Sequence, residues 1–248
     1  MAELGSFPGL AGLVQQARAD LTGDALLRDG VDGLVVPRAD VEVDLDLESY
    51  GGEVYMWGMR IHDPQGLTGE AGTRYVIEEM ADLSADFDPA EVFLRAWEQI
   101  ADMRRRGEDA GGTLAIYSWS GIETWMFRQY AEHLPQPSDV EELVTDADVW
   151  VDLMQVVKQQ LVLPLRGRYG LKQVASQVAG FRGWDEVKAR HGLSALDGEE
   201  SMLLFAAAVG MDGDPDPGAA EALLAYNRAD VDATWTVREW LATLDLRR

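Results

Sequence analysis

Residues 41–48 read Val-Glu-Val-Asp-Leu-Asp-Leu-Glu, and this stretch decides the fold class. Its apolar and acidic residues alternate at every position, which predicts a β-strand with one apolar face, because successive side chains of a strand point to opposite sides. The pair Gly51-Gly52 predicts a turn, after which residues 53–62 supply an antiparallel partner. Residues 73–80 then predict a third strand at the edge of the sheet. The sheet therefore begins as an antiparallel meander.

The rest of the chain carries helical patterns and one more strand. Residues 88–91, Asp-Pro-Ala-Glu, are typical of a helix start, and an apolar face continues from them to Arg104–Arg106. Residues 113–119 are apolar and predict a short strand. Further helices are predicted at residues 9–19, 123–133, 148–160, 170–178, 199–209 and 218–244, and a capping box at residues 138–141 opens another. This order predicts an α/β fold with helices on the faces of a sheet.

Composition limits the kind of site that the chain can build. The 248 residues include 21 Lys and Arg, 44 Asp and Glu and no Cys, and the formal net charge is −23. Without cysteine the chain has no disulfides, thiolate-bound zinc, iron–sulfur clusters or cysteine nucleophiles, so a site must use oxygen and nitrogen ligands. Such an acidic charge is typical of a soluble chain, and over most of the surface it repels nucleic acid and anionic membranes.

Length and hydropathy predict one large domain preceded by an arm. Residues 1–39 are interrupted by glycines and predict an N-terminal arm with a short helix, whereas residues 40–248 predict a single domain. The longest apolar run, residues 202–211, is about half the ~18 residues that a membrane span needs. No basic region followed by an apolar stretch opens the sequence, so we expect no secretory signal, no membrane partner and a cytoplasmic location.

Acidic residues on the first strand are the first candidates for a functional site. Asp44, Asp46 and Glu48 share one face of that strand, with same-face neighbours ~6.5–7 Å apart. Two carboxylates at this spacing can converge on one hard cation, whereas without a cation the three repel one another. The alternative interpretation is a solvated polar face on a half-buried strand, which is common in antiparallel sheets. The spacing leaves both interpretations open.

Glu123, just after the strand at residues 113–119, also admits two interpretations. Ser120-Gly121-Ile122-Glu123 is a capping box, in which Glu123 binds the backbone amide of Ser120. A residue at the carboxyl end of a strand and the start of a helix is also placed where open α/β sheets bind their ligands.

Tyr226 and Asp230 lie four residues apart in the predicted C-terminal helix and share one of its faces. Aspartate is a poor residue for a helix interior and tyrosine is bulky, so an inward-facing pair would have a specific role. The alternative is a partly exposed tyrosine beside an aspartate that faces solvent.

These features together resemble a known family. Asp46-Leu47-Glu48 and Tyr226-x-x-x-Asp230 resemble the first and third motifs of the tyrosine branch of the DEDD-type 3′–5′ exonucleases, which belong to the ribonuclease H-like superfamily. More narrowly, the chain resembles the RNase H-like domain of the predicted RecB-like nucleases over roughly residues 40–245. The stretches that support this resemblance are residues 43–49, 55–58, 116–123, 152–153, 169–172, 226–232 and 238–241. At the second motif Glu123 stands where the superfamily usually has Asp.

The resemblance implies a fold, a site and an activity. The fold would be a ribonuclease H-like mixed sheet, with a three-strand antiparallel meander plus parallel strands, flanked by helices. The site would hold two Mg²⁺ or Mn²⁺ ions on four carboxylates, those of Asp46, Glu48, Glu123 and Asp230. Tyr226 would orient the attacking water or the scissile phosphate, and Asp44 and Asp152 are further candidate acids. The activity would be two-metal hydrolysis of phosphodiester bonds at DNA or RNA 3′ ends.

Phosphate-binding residues must be local in so acidic a chain. Arg166, Arg168 and Lys172 are candidates, as is the run Arg104–Arg106, although each is equally well interpreted as ordinary surface charge. The acidic surface also favours an alternative function, a non-catalytic RNase H-like module that docks a RecB-type nuclease or helicase partner. A third possibility is a hydrolase of small phosphates, whose substrate needs little surface.

Overall fold

The computed structural model describes residues 9–79, 87–165, 167, 169–194, 197–211 and 213–244. Its strands are β1 (Leu26–Leu27), β2 (Val41–Tyr50), β3 (Glu53–Asp63), β4 (Gly72–Glu79), β5 (Leu114–Ser118), β6 (Trp150–Asp152) and β7 (Leu161–Val162). Its α-helices are α1 (Leu10–Thr22), α2 (Pro89–Asp109), α3 (Ile122–Tyr130), α4 (Ser138–Thr145), α5 (Leu153–Gln160), α6 (Leu171–Gln173), α7 (Gly183–His191), α8 (Gly198–Ala208) and α9 (Pro217–Thr243). Within the described ranges, no helix combines the length and apolar character that crossing a bilayer requires.

The main sheet is five-stranded and mixed. Its order is β4-β3-β2-β5-β6, with β2–β3 and β3–β4 antiparallel and β2–β5 and β5–β6 parallel. The α/β fold, the antiparallel meander and the edge position of β4 are therefore confirmed. Because β2 is the central strand, its side chains are covered from both faces of the sheet.

The hairpin between β2 and β3 follows the predicted turn. Gly51 and Gly52 both have positive φ, 62° and 92°, which lets two residues connect the strands in the direction of their twist. The pairing continues along the hairpin and sets Asp46 opposite Gly58. On the other side of β2, Asp44 pairs with Tyr117 of β5. Asp46 therefore lies toward the carboxyl ends of the parallel strands.

The two faces of β2 differ in what covers them. Val43 and Leu45 pack into an apolar core with helices α2, α3 and α8, whereas the acidic face lies under α9. Asp44 and Glu48 are buried and Asp46 is only partly exposed. The interpretation of these acids as a solvated polar face is therefore wrong, since a helix covers them.

Several helix predictions are confirmed, among them those at residues 88–106, 199–209 and 218–244. The helix predicted at residues 148–160 is wrong in its first part, because Trp150–Asp152 forms β6. Aromatic and β-branched residues favour a strand there, and Asp152 ends it by accepting a hydrogen bond from the Gln155 amide, which caps α5. Helix α7 was not predicted.

The capping box at residues 138–141 is also corrected. Helix α4 begins at Ser138, but its N-cap is Pro137, which has no capping side chain. Glu141 instead accepts a hydrogen bond from Arg128, with 2.8 Å between Nε and Oε2.

Residues 9–39 contain a strand that sequence patterns did not indicate. After α1, strand β1 pairs antiparallel with β7 in a separate two-stranded sheet. The Gln16 side chain also donates a hydrogen bond to the backbone oxygen of Leu163, at 2.9 Å. This segment is thus attached to the main body by backbone pairing and by a side chain.

Candidate metal centre

Helix α9 is fixed across the acidic face of β2 at two points. At one, Asn227 Nδ2 donates to Asp46 Oδ2 at 3.2 Å. At the other, the Arg238 guanidinium binds Asp44 through two hydrogen bonds, Nε to Oδ1 at 3.0 Å and Nη2 to Oδ2 at 2.9 Å. Tyr226 and Asp230 belong to the same helix, so this docking directs them at the strand.

Three carboxylates meet between the strand and the helix. Asp46, Glu48 and Asp230 each offer one oxygen, and these oxygens all lie within 4.8 Å of one another. Oxygen ligands of Mg²⁺ lie about 2.1 Å from the ion, so neighbouring ligands are separated by about 3–4 Å. Small side-chain movements would therefore let these three share a cation. Glu48 and Asp230 are buried, while Asp46 is partly exposed.

Without an ion the three acids disfavour one another's charge. Burial, together with the nearby Asp230 carboxylate, raises the pKa of Glu48 to about 8. Burial also raises the pKa of Asp46 well above its ordinary range, and three neighbouring carboxylates add to the shift, those of Asp230, Glu48 and Glu123. Asp46 is thus the acid that interacts with all the others.

Donors from three helical segments surround Asp230. Trp184 of α7 donates from Nε1 to Asp230 Oδ1 at 2.6 Å, and the Tyr226 hydroxyl lies close enough to the same carboxylate to lower its pKa. Lys172 of α6 donates from Nζ to the Tyr226 hydroxyl at 2.9 Å. Burial raises the pKa of Asp230 to about 6, against the opposing effects of Lys172, Trp184 and Tyr226. These donors hold the carboxylate in place and favour its charged form.

Glu123 lies in the first turn of α3, beside this cluster. Its side chain is 3% exposed, and burial raises its pKa to about 8. Ser120 Oγ donates to Glu123 Oε2 at 3.4 Å and accepts from the Ile122 amide at 3.3 Å. Ser120 therefore contacts Glu123 through its hydroxyl, whereas the capping box predicts a bond from its backbone amide, and the N-cap residue of α3 is Gly121. The same carboxylate is close enough to raise the pKa of Asp46, so the two interpretations are compatible.

The two additional candidate acids have other partners. Asp44 is fully buried against Arg238, and Arg60 Nη1 lies 3.5 Å from Asp44 Oδ2. With two arginines at hand, Asp44 serves a structural ion-pair network and lies outside the cluster of three. Asp152 caps α5 through the Gln155 amide, but its charge also raises the pKa of Glu123.

The predicted phosphate-binding residues have different outcomes. Arg166 and Arg168 lie outside the described residues. Lys172 is at the centre, with Nζ also 4.6 Å from the centroid of the Tyr226 ring. The arginines of the run Arg104–Arg106 each contact a carboxylate of their own helix α2, which agrees with ordinary surface charge.

Sequence reasoning missed two residues of the centre. Asn227 was inside the quoted 226–232 stretch, but helical spacing gave no reason to point it at Asp46. Trp184 gives no signal in the sequence, since an indole N–H donor leaves no mark in a hydrophobic pattern. For both, the partner comes from a distant part of the chain.

Gly58 is required for the position of Asn227. A Cβ at residue 58 would overlap Asn227 Oδ1 and lie 2.8 Å from its Cγ. We expect Gly58→Ala to displace the amide from Asp46 and to lower the free energy of unfolding by about 1–3 kcal/mol in urea denaturation. The matched control is Gly58→Ala combined with Asn227→Ala, which should be less destabilised than the sum of the two single variants. Additive losses would show that the two residues do not interact.

The raised pKa values predict an unusual pH dependence in the presence of a chelator. Glu48 and Glu123, each with a pKa of about 8, keep protons in the folded chain that the unfolded chain releases near their ordinary value of 4.5. Stability is therefore expected to fall as pH rises from about 5 to 8, by roughly 3 kcal/mol for each of the two glutamates. Urea denaturation of wild type and of Glu48→Gln across this pH window measures the change, and the free energy of unfolding of the variant should fall less than that of wild type. Equal slopes would contradict the expectation.

Comparison of the chain with protein-family models, with curated proteins and with solved structures finds no match in any of the three. The geometry of the fold and of this centre therefore carries the functional conclusion.

Proposed function

We propose that the chain is a metal-dependent nuclease of the ribonuclease H-like superfamily, acting as a 3′–5′ exonuclease on DNA or RNA. The observation that carries this proposal is the convergence of Asp46, Glu48 and Asp230, from residues far apart in sequence, on one point. Tyr226 lies close to the last of these acids, and the resemblance to the tyrosine branch rests on this Tyr-x-x-x-Asp pair. The sheet supports the proposal because it joins an antiparallel meander to parallel strands.

The donor set fits a hard divalent cation. The centre offers carboxylate oxygens, which Mg²⁺ and Mn²⁺ prefer. In addition, Asn227 Oδ1 is buried against Gly58 without a hydrogen-bond partner among the described residues, so rotation of this amide beside Asp46 would offer a further oxygen ligand. Asp46, Glu48 and Asp230 would hold one ion, and Asp46 with Glu123 would hold the second. When bound, such ions activate water and stabilise the charge on the leaving oxygen.

The protein's own residues would position the substrate. Burial, and then the charge of Asp230, raises the pKa of Tyr226, so its hydroxyl stays protonated at neutral pH and remains a donor. Lys172, bonded to that hydroxyl, brings a positive charge to a site that is otherwise acidic. Together they offer a donor and a cation to a phosphate that enters from the partly exposed side of Asp46.

The test is cleavage of 5′-labelled single-stranded DNA and RNA in Mn²⁺ or Mg²⁺. A 3′–5′ exonuclease gives a ladder of progressively shorter labelled products, and Glu48→Gln and Asp230→Asn should reduce their rate by about 10³-fold or more. Glu141→Gln, which removes an exposed acid of α4, is the control and should retain the activity.

Other outcomes would change the assignment. Cleavage that survives both substitutions would remove the proposed centre. Absence of turnover together with no Mn²⁺ binding in calorimetry would support the non-catalytic module that docks a RecB-type nuclease or helicase. Hydrolysis confined to nucleoside phosphates would support the small-phosphate hydrolase.

A further inference from the structure

A cavity of about 700 Å³ lies between α7, α9 and β4. Gly183 and Ala229 line it, and each directly precedes a residue of the centre, Trp184 and Asp230. The residues of α9 that line the cavity lie on the opposite face of this helix from Tyr226, Asn227 and Asp230, so α9 separates the cavity from the cluster of acids.

Three arginines line this cavity and form no salt bridge in the described part of the chain, although Arg182 lies close enough to Asp185 to lower the pKa of that carboxyl. Arg182 Nη1 donates only to the backbone oxygens of Ser176 and Phe181, at 2.9 and 3.0 Å. Arg228 lies over the ring of Tyr75, and Arg190 is exposed. The chain has 44 acids and only 21 Lys and Arg, so most of its basic residues have an acidic neighbour available. Three arginines that line one cavity and form no salt bridge with a described residue therefore indicate an anionic ligand.

Two acids also line the cavity, and one of them is already engaged. Asp232 accepts a hydrogen bond from the Tyr75 hydroxyl and lies 3.7 Å from Arg60 Nε. Glu186 is exposed on α7. The arginines therefore outnumber the acids in the cavity, which reverses the balance of the chain as a whole.

Aromatic rings alternate with these arginines. Tyr75, Phe181 and Trp235 are partly buried and line the same cavity. The Arg228 guanidinium lies 3.8 Å from the centroid of the Tyr75 ring and is itself exposed, so its outer plane is open to solvent. Nucleic acid bases stack on aromatic rings and on guanidinium planes, whereas an acidic peptide would use only the positive charges.

We propose that this cavity binds single-stranded nucleic acid, with the three arginines on successive phosphates and the rings against bases. The inference rests on the proposed function, because single-stranded nucleic acid is the substrate that the proposed nuclease would hydrolyse. The proposal also explains how a chain of net charge −23 could bind nucleic acid, since the affinity would come from the arginines of this cavity while the acidic surface elsewhere repels phosphate.

Binding of a labelled single-stranded oligonucleotide, followed by anisotropy in a chelator so that no cleavage occurs, tests the proposal. The cavity variant carries Arg182→Ala, Arg190→Ala and Arg228→Ala. The control carries Arg104→Ala, Arg105→Ala and Arg106→Ala, which removes the same number of charges from a surface where each arginine contacts an acid. Three lost phosphate contacts should weaken binding about 100-fold at ~0.1 M salt and reduce the log–log salt slope by about 2, while the control stays within about twofold.

Three results would overturn the proposal: no binding by wild type, equal weakening in both variants, or polyglutamate competing as well as unlabelled oligonucleotide. The last would indicate an acidic protein partner. Failure of the proposed function is read separately, with bis(p-nitrophenyl) phosphate, a substrate too small to reach the cavity. Intact oligonucleotide binding without hydrolysis of this ester in Mn²⁺ would remove the nuclease and leave the binding site.

Discussion

Replacing Arg238 with methionine is expected to lower the free energy of unfolding by about 3–5 kcal/mol, because it leaves buried carboxylates without their counter-charge. The side chain is 0% exposed and binds Asp44 through two nitrogens, and its Nη1 also lies 2.6 Å from Glu42 Oε2. Methionine keeps the apolar volume of the stem and removes only the charge and its hydrogen bonds. The shift of the urea midpoint at constant slope measures the loss.

Two variants make this prediction specific. Arg104→Met removes a partly exposed arginine that pairs with Glu108 in the next turn of its helix, and should change stability by no more than about 0.5 kcal/mol. Adding Asp44→Asn to Arg238→Met should recover part of the loss, since the uncompensated charge is then removed as well. If the double variant were as unstable as the sum of the two singles, the ion pair would not be the cause.

The second large effect has opposite signs at two residues of one strand. Asp46→Asn should raise the free energy of unfolding in chelator by about 1–2 kcal/mol at pH 8, because it removes a partly buried charge that three other acids repel. Asp44→Asn should instead lower it by about 2 kcal/mol, because the amide cannot pair with Arg238 as a carboxylate does. Thermal denaturation of the two variants at equal pH checks the contrast.

Adding Mn²⁺ extends this test to the function. Wild type should gain about 2.7 kcal/mol when the ion is at 100 times its dissociation constant, whereas Asp46→Asn should gain little. The nuclease rate of the same variant should fall by about 10³-fold or more, although its fold is more stable. If Asp46→Asn were less stable than wild type in chelator, Asp46 would stabilise the metal-free fold, and the prediction would be wrong.

The strand alternation at residues 41–48 was enough to predict β2 and to place its acids on one face. It could not distinguish Asp44 from Asp46, since the two differ only in what α9 brings to them. Arg238 reaches one and Asn227 the other, and this depends on how a distant helix crosses the strand. Local pattern therefore predicts the face, and tertiary packing assigns the roles.

The basic residues also show that a local sequence pattern does not reveal which side chains cluster in the fold. The contiguous run Arg104–Arg106 attracts notice in a sequence, yet its members contact acids of their own helix. Arg182, Arg190 and Arg228 are scattered along the chain and form a cluster only because α7 packs on α9. The prediction of a helix at residues 148–160 failed for a related reason, since Trp150 and Val151 extend only because β5 offers them a partner.

The pairing of β1 with β7 decides how the protein can be shortened. A version that starts at residue 40 would delete β1 and strip Leu161 and Val162 of the backbone partner that they have in this two-stranded ribbon. The unpaired edge of β7 could then form backbone hydrogen bonds with β7 of another molecule, giving dimers or aggregates in place of a shortened monomer. Truncations intended for crystals or for binding assays should therefore keep the chain from α1 onward.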